Sequence, residues 1–140
     1  MPSWSGSLRR FALKVLDELK RENWELSILL CGDKTITELN SQYRKKCEPT
    51  DVLSFNQGTE IKDGERTIYL PGDIVISLDT LRENAEYFKI QEDEELRRLA
   101  IHGILHLNGM DHETNDEKEP MLDLQEKILN KLKNEHIFPI

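Results

Sequence analysis

The chain has few of the features that mark secreted, membrane or nucleic-acid-binding proteins. It has two cysteines in 140 residues, Cys31 and Cys47, which are far apart and form no C-x-x-C pair. A disulfide framework is therefore not expected, and a reducing, cytoplasmic location is the prediction. No segment approaches the run of about 18 apolar residues that a membrane helix needs. The N-terminal stretch MPSWSGSLRR lacks the basic and apolar regions of an export signal.

Positive charge is also scarce, since the formal net charge at pH 7 is -8 and the pI is near 5.0. This balance gives no support to nucleic-acid binding through an overall basic excess. One local cluster, YRKKC, places Arg44, Lys45 and Lys46 in a row. Taken alone, such a run most often indicates a solvated surface patch.

What is present is the composition of an ordinary globular protein, with 37% hydrophobic and 33% charged residues. Such a balance argues against long disorder. The chain has no internal repeat, low-complexity tract or obvious linker. Residues 1–140 are therefore expected to form a single domain with a core of its own.

Apolar periodicity predicts the helices. It has helical spacing over about residues 7–22, after the segment DIVIS, and over about 117–134. Thr35 and Glu38 in TITE offer a capping box that would open a short helix. The strongest helix prediction is QEDEELRRLAIHGILHLNG. Its acid-rich start EDEE is interpreted as solvated and favourable to the helix dipole, and Gly109 stands where the helix should end.

Alternating and β-branched residues predict the strands. WELSILL and DVLSF are strand candidates, and Asp63-Gly64 is a hairpin turn signal between TEIK and RTIYL. Pro71-Gly72 is expected to interrupt the chain before DIVIS, whose β-branched residues suit a central strand. The order αβαβββααα indicates an α+β fold in which helices cover one sheet.

Three of the four histidines fall within the stretch IHGILHLNGMDH. His102 and His106 are four residues apart on a predicted helix, so their Cβ atoms should lie about 5–6 Å apart on one face and both rings could reach one metal ion. Gly109 can end the helix in a left-handed conformation and turn the chain, so that His112 approaches from the far side. These three histidines are the predicted metal ligands. The fourth, His136, is interpreted as surface or terminal packing.

Three histidines leave one coordination position open, which is typical of catalytic rather than structural zinc sites. Zinc can lower the pKa of a bound water to about 7 and so supply a nucleophile at neutral pH. Imidazole also suits nickel, copper and iron, so zinc is the default metal only. Asp111 stays open between a fourth ligand, an outer residue that orients a histidine, and a simple turn residue.

The histidine pattern resembles two families. It is similar to the metzincin protease signature H-E-x-x-H-x-x-G-x-x-H, but Gly103 stands where that family has its general-base glutamate. HGILHLNGMDH resembles, nearly letter for letter, the signature of the YbeY family of bacterial endoribonucleases. LNSQYRKKCEPTDVLSF, PGDIVIS and MLDLQEKIL resemble further blocks of the same family in the same order, so this similarity runs from about residue 26 to 130.

The resemblance to YbeY implies a zincin-like α+β fold and one metal ion held by His102, His106 and His112. It implies cleavage of single-stranded RNA in ribosome maturation and quality control, including the 3′ end of small-subunit ribosomal RNA. The small ribosomal subunit, with ribosomal or GTPase proteins, would supply the partners. The family's functional arginine falls on Arg44, which could bind a phosphate and offset the charge of a phosphoryl-transfer transition state.

Other interpretations stay open. The chain could hydrolyse another bond, peptide included, or be a non-enzymatic ribosome-associated factor whose metal only stabilises the fold. The general base could be metal-activated hydroxide alone, Asp111 or Glu113. Trp4 and Trp24 are interpreted as packing residues, with stacking on RNA bases as the alternative.

Overall fold

A computed structural model describes residues 3–138 of the chain. Met1 and Pro2, at the start of the segment compared with an export signal, and the last two residues of the tail NEHIFPI lie outside the described part. The elements in chain order are α1 Ser5–Glu18, β1 Ser27–Cys31, α2 Asp33–Arg44, β2 Val52–Asp63, β3 Arg66–Ser77, α3 Leu78–Phe88, α4 Glu92–Leu107 and α5 Pro120–Lys131. The predicted α+β class, with strands early and helices late, is confirmed. Within residues 3–138, no helix is both long enough and apolar enough to span a bilayer.

The predicted central position of DIVIS is confirmed, because β3 lies between the other two strands. β1 pairs with it in parallel and β2 pairs with it in antiparallel orientation. Side chains alternate along β3, so Ile74 and Ile76 enter the larger core while Val75 packs on the other face with Ile36 and Leu53. The larger core also holds the apolar side chains of α1, α4 and α5. α4, which contacts β2 and β3, is therefore fixed to one face of the sheet.

The predicted hairpin turn is confirmed, but the break expected at Pro71-Gly72 is wrong. β3 continues through both residues, and β2 carries a register shift opposite them. Asn56 pairs with Gly72, and the next paired residue of β2 is Thr59, which lies opposite Leu70. Proline has no N–H to donate, and a bulge in the facing strand accommodates it without a lost ladder bond. The fold therefore has one strand fewer than the predicted order.

The first helix ends earlier than predicted. α1 stops at Glu18, and Lys20 adopts a left-handed conformation with φ of 58°. The Arg21 N–H then donates to the Leu16 carbonyl at 2.9 Å, which closes the helix with a Schellman-type turn. Because lysine occupies a position that usually favours glycine, the sequence carries no stop signal there.

The predicted capping box of α2 is wrong. Gly32 is the N-cap and the helix already begins at Asp33. Thr35 therefore lies inside the first turn, where it cannot act as N-cap to Glu38. Asp33 instead accepts hydrogen bonds from the hydroxyl groups of Ser77 and Thr80 at the start of α3, at 2.7 and 2.6 Å.

The acid-rich start of α4 is only partly solvated, contrary to the prediction. Asp93 and Glu95 are buried, with relative exposures of 8% and 4%. The Asp93 carboxylate accepts the backbone N–H groups of Ile137 and Phe138 at 2.8 and 2.7 Å, and lies 3.3 Å from Nδ1 of His136. His136 thus contributes to packing of the C-terminal segment, one of the two roles expected for it.

Replacement of Gly72 tests the close approach of β2 and β3. Its φ is +146°, and a Cβ atom would collide with the backbone carbonyl of Phe55. We expect Gly72→Ala to lower the free energy of unfolding by about 3 kcal/mol, because both backbone strain and a steric clash must be relieved. Gly64→Ala is the matched control, since Gly64 has φ of +67° but open space around it; it should cost about 1 kcal/mol. Urea denaturation would measure both, and equal losses would contradict the interpretation.

Candidate metal centre

The three predicted ligands converge at the C-terminal end of α4. Nε2 of His102 and Nε2 of His106 are 3.0 Å apart. Each of His102, His106 and His112 offers a ring nitrogen within 4.8 Å of the others, and all three side chains are half-buried. A tetrahedral ion with metal–nitrogen distances of about 2.0–2.1 Å needs nitrogens about 3.3 Å apart. The cluster is therefore of the right size for one metal ion.

A Schellman-type turn at the end of α4 returns the chain toward the histidines. Gly109 has φ of 89°, its N–H donates to the His106 carbonyl at 3.0 Å, and the Met110 N–H donates to the Leu105 carbonyl at 3.0 Å. This is the six-residue closure that a left-handed glycine permits. The turn brings His112 beside the helix, in agreement with the role predicted for Gly109.

Each histidine has an oxygen acceptor next to its Nδ1 atom. These acceptors are Oε1 of Gln125 at 2.6 Å from His102, the Met110 carbonyl at 3.1 Å from His106, and the Thr114 carbonyl at 2.8 Å from His112. An acceptor at Nδ1 keeps the proton there and leaves a lone pair on Nε2. The lone pairs of His102 and His106 then face each other across 3.0 Å. Such an arrangement is repulsive without a cation between them, so the donor set fits a metal ion.

Burial favours the neutral form of the two helical ligands. It is the largest cause that lowers the pKa of His102 and of His106 below the ordinary value for histidine. The positive charge that a neighbouring ring would carry lowers the pKa further, through His112 for His102 and through His102 for His106. Neutral imidazole is the form that binds metal, so these rings are ready to act as ligands at neutral pH.

A cleft of about 510 Å³ opens over His102 and His106, and Arg44 and Asp111 are among the residues that line it. Arg44 and two of the histidines therefore border one space. Asp111 has a side chain that is 87% exposed and lies 4.0 Å from Nδ1 of His106. Nδ1 of His106 lies on the opposite side of the ring from Nε2, which is the atom that faces His102. Asp111 is therefore not in the position of a fourth ligand. Its Oδ1 accepts the backbone N–H of His112 at 2.8 Å, which makes it an outer turn residue.

The side chain of Arg44 is held by contacts with two residues of β2. Its Nη2 donates to the Ser54 carbonyl at 2.7 Å, and its guanidinium carbon lies 5.3 Å from the centre of the Phe55 ring. The Ser54 hydroxyl in turn lies 3.4 Å from the carbonyl of Gly103 on α4. Arginine has five N–H donors, so one anchored nitrogen leaves others for an anion in the cleft.

Gln125 on α5 is a residue of the site that the sequence did not predict. It is 7% exposed, and its Nε2 donates to Glu126 at 3.1 Å while its Oε1 faces His102. Glu126 receives two hydrogen bonds of 3.0 Å from Arg98, which also donates to Glu95 at 3.1 Å. A polar network that runs from buried Glu95 to exposed Glu126 therefore fixes the amide that faces His102.

A signal for Gln125 was present in the sequence. Met121 and Leu129 lie four residues before and after it, and all three are on the buried side of α5. A polar residue within an apolar helical stripe usually has a specific polar partner, because an unpaired buried amide is costly. The identity of that partner depends on the packing of α5 against α4, which sequence spacing does not give.

Comparisons with known proteins agree on one family. A family model described as Endoribonuclease YbeY matches residues 4–133. The chain belongs to the YbeY family. A Treponema denticola protein described as Endoribonuclease YbeY is 50% identical over 135 residues, with 95% of this chain and 86% of that protein covered. A Borreliella burgdorferi protein of the same description is 46% identical over 134 residues, with 91% and 85% covered.

A solved structure extends the similarity to the fold. The solution structure of a Thermotoga maritima protein has 31% sequence identity and a TM-score of 0.65, with 96% of this chain and 87% of that protein covered. The segment matched to the YbeY family contains Arg44, the three clustered histidines and Gln125, whereas His136 lies beyond it. The site described above therefore lies wholly within the YbeY match.

Replacement of Gln125 tests its effect on the cluster. We expect Gln125→Leu to weaken Zn²⁺ binding about 10- to 100-fold, because His102 loses the acceptor that holds its ring and its Nδ1 proton in place. Competition with a chelator of known affinity would measure the change. Gln42→Leu, at an exposed position of α2, is the matched control and should bind Zn²⁺ like the parent protein. Unchanged affinity in Gln125→Leu would show that the hydrogen bond does not position a ligand.

Proposed function

We propose that this YbeY family member is a metal-dependent endoribonuclease that cleaves single-stranded RNA. One metal ion, zinc by default, is held by His102, His106 and His112, and Arg44 binds the phosphate beside the bond that is cleaved. The observation that carries the proposal is the shared cleft, which is lined by Arg44 together with His102 and His106. The family match to proteins described as Endoribonuclease YbeY supports RNA as the substrate.

In this proposal the histidines hold the ion and the basic residues bind the phosphate. When bound, the ion supplies Lewis-acid polarisation of a phosphoryl oxygen and makes water more acidic. Arg44, anchored through one nitrogen to Ser54, donates its remaining N–H groups to phosphate oxygens. These charge-assisted bonds strengthen as negative charge grows in the transition state. Lys45 and Lys46, both exposed, make weaker contacts that are insensitive to position.

Asp111 is the better of the two carboxylates considered as proton acceptor. Both carboxylates are exposed, but Asp111 lines the cleft, whereas Glu113 is not one of the residues that border the cleft within the described part of the chain. One carboxylate oxygen of Asp111 is occupied by the His112 N–H, which leaves the other for a proton taken up from water. The metal alone remains the alternative route to that proton transfer.

Gly103 argues against peptide hydrolysis by the metzincin route. A Cβ at this position would lie 2.8 Å from Cγ2 of Ile74, whose side chain is fully buried in the core. The packing that fixes α4 on the sheet therefore leaves no room for the glutamate that serves those proteases as general base. A purely structural metal is disfavoured for another reason, since structural zinc sites are closed by four protein ligands and this cluster opens to a cleft.

The proposed cellular role follows the family. The substrate is ribosomal RNA, including the 3′ end of the small-subunit RNA, and the partners are the small ribosomal subunit and ribosomal or GTPase proteins in the cytoplasm. The net charge of -8 is unfavourable for RNA at long range. RNA recognition therefore depends on positively charged side chains at the cleft itself, and Arg44 is one of them.

Paired substrates distinguish the proposal from its alternatives. We expect a single-stranded RNA to be cleaved and an unstructured peptide of similar size to stay intact, with RNA cleavage lost on chelation and restored by added Zn²⁺. The melting temperature of the chelated protein must be measured in parallel. If chelation abolished cleavage only by unfolding the protein at the assay temperature, the ion would be structural and the proposal would fail.

Replacement of Arg44 tests the phosphate site. We expect Arg44→Ala to lower kcat for RNA cleavage about 10²- to 10³-fold, because a donor aimed at developing charge is removed. The melting temperature and Zn²⁺ content should stay near those of the parent protein, since the side chain is exposed. Lys46→Ala removes the same charge two residues away and should reduce kcat less than about tenfold. Equal effects of the two variants would assign Arg44 only a general electrostatic role.

A further inference from the structure

A second groove of about 460 Å³ adjoins the metal cleft at the C-terminal end of α4. Its walls include the side chains of Arg21, Trp24, Glu60 and Tyr69. Gly109 lines both this groove and the metal cleft. It is exposed, and a Cβ at its position would meet no atom within 4 Å. The two spaces therefore meet at a residue without a side chain, where a chain-like ligand can pass from one to the other.

The backbone holds two aromatic rings side by side in this groove. The Tyr69 N–H donates to the Asn23 carbonyl at 2.8 Å, and the Glu25 N–H donates to the Tyr69 carbonyl at 2.8 Å. Trp24 lies between these two bonded residues, and its ring centre is 5.2 Å from that of Tyr69 at an interplanar angle of 40°. Both rings are half-buried, so each keeps part of its surface for the groove. The pair is fixed before any ligand arrives.

Arg21 adds a third planar group. Its guanidinium carbon lies 5.4 Å from the centre of the Trp24 ring, and its Nε donates to Oδ1 of Asn108 at 3.0 Å. The Schellman-type end of α1 sets the position of Arg21, while Asn108 is the C-cap of α4. The guanidinium is therefore held at the junction of two helix ends, with one face toward an aromatic ring.

We propose that this groove binds a nucleobase of the RNA strand next to the cleaved phosphate, by stacking it among Trp24, Tyr69 and Arg21. The inference rests on the proposed function, because it takes RNA as the ligand of the adjoining cleft. Every base has a flat π-face, so such stacking selects unpaired nucleotides without selecting a sequence. A base within a duplex cannot enter, which gives the site a physical reason to prefer single strands.

The charge of the groove favours a base over a phosphate. The Glu60 side chain lines it and offsets the positive charge of Arg21, and the carbonyl end of α4 adds partial negative charge. Both disfavour an anion, whereas a carboxylate can accept hydrogen bonds from the amino groups of cytosine, adenine or guanine. The strand is thus expected to place its phosphate at Arg44 and its base at Trp24.

Fluorescence of Trp24 tests the stacking directly. The chain has two tryptophans, and the other, Trp4, packs edge-on against Phe138, so Trp4→Phe leaves Trp24 as the single tryptophan while keeping that aromatic contact. The metal-loaded Trp4→Phe protein is mixed with hexaadenylate, and emission is read in the first seconds, before cleavage products accumulate. We expect saturable quenching by hexaadenylate and none by inorganic phosphate at the same concentrations. Absence of quenching by hexaadenylate, or equal quenching by phosphate, would overturn the proposal.

Two substitutions in the same background test the other walls. Tyr69→Leu should raise the hexaadenylate concentration for half-maximal quenching about tenfold, and Arg21→Ala about fivefold. The matched controls are Tyr87→Leu, at an exposed position of α3, and Arg9→Ala, at an exposed position of α1. Neither control should shift the curve, and far-UV circular dichroism would verify the fold of all four variants. If variants and controls shifted the curve equally, the effect would be one of net charge or folding and the proposal would fail.

Cleavage of hexaadenylate, followed to completion in the same samples, separates this inference from the proposed function. Cleavage without quenching would reject the base site and leave the endoribonuclease proposal standing. Quenching without cleavage under any metal condition would support the base site and reject the proposed reaction.

Discussion

The candidate metal centre depends on the close packing of α4 against the central strand β3. Gly103 makes this contact possible, because its missing side chain lets the helix lie directly on Ile74. With 3.6 residues per turn, His102 and His106 fall on a flank of the helix next to the face that Gly103 presents to the sheet. The sheet therefore fixes both the depth and the rotation of the helix, and so the direction of two ligands. Gly103, which leaves no room for a protease-type glutamate, is thus also the residue that lets the helix of His102 and His106 pack on the sheet.

The second constraint is the network of charged side chains that positions Gln125 next to His102. Burial raises the pKa of Glu95, and a hydrogen bond from Arg98 opposes that shift. The ion pairs of Arg98 are partly open to solvent and contribute little net stability, since screening and desolvation offset much of their attraction. Arg98 nevertheless joins Glu95 on α4 to Glu126 on α5, and Glu126 accepts the amide of Gln125. The most consistent role of these charges is positional, because they fix α5 and its glutamine relative to His102.

The parts of the site that could be predicted from the sequence are the local ones. His102, His106 and His112 are related by one helical turn and one glycine turn, so spacing alone determined their convergence. Gln125 reaches them from a different helix, and its role depends on tertiary packing. The break predicted at Pro71 was wrong for a similar reason, because the bulge that accommodates this proline lies in the facing strand. Periodicity predicted most helices and strands. The ends of helices and the burial of Asp93 and Glu95 could not be predicted in this way, because they depend on local capping and on contacts distant in sequence.

The distribution of cations explains how an acidic chain could bind RNA. Long-range attraction is weak at a net charge of -8, so affinity must come from contacts at short range. Arg44 is ordered by the Ser54 carbonyl and Arg21 by the Asn108 side chain, so neither loses much conformational freedom when a ligand binds. The two arginines line two adjoining spaces that share Gly109, one with His102 and His106 and one with Trp24. A duplex would offer such a site only its phosphates, whereas an unpaired strand would offer phosphate and base together. The proposed base site therefore predicts a preference for single strands.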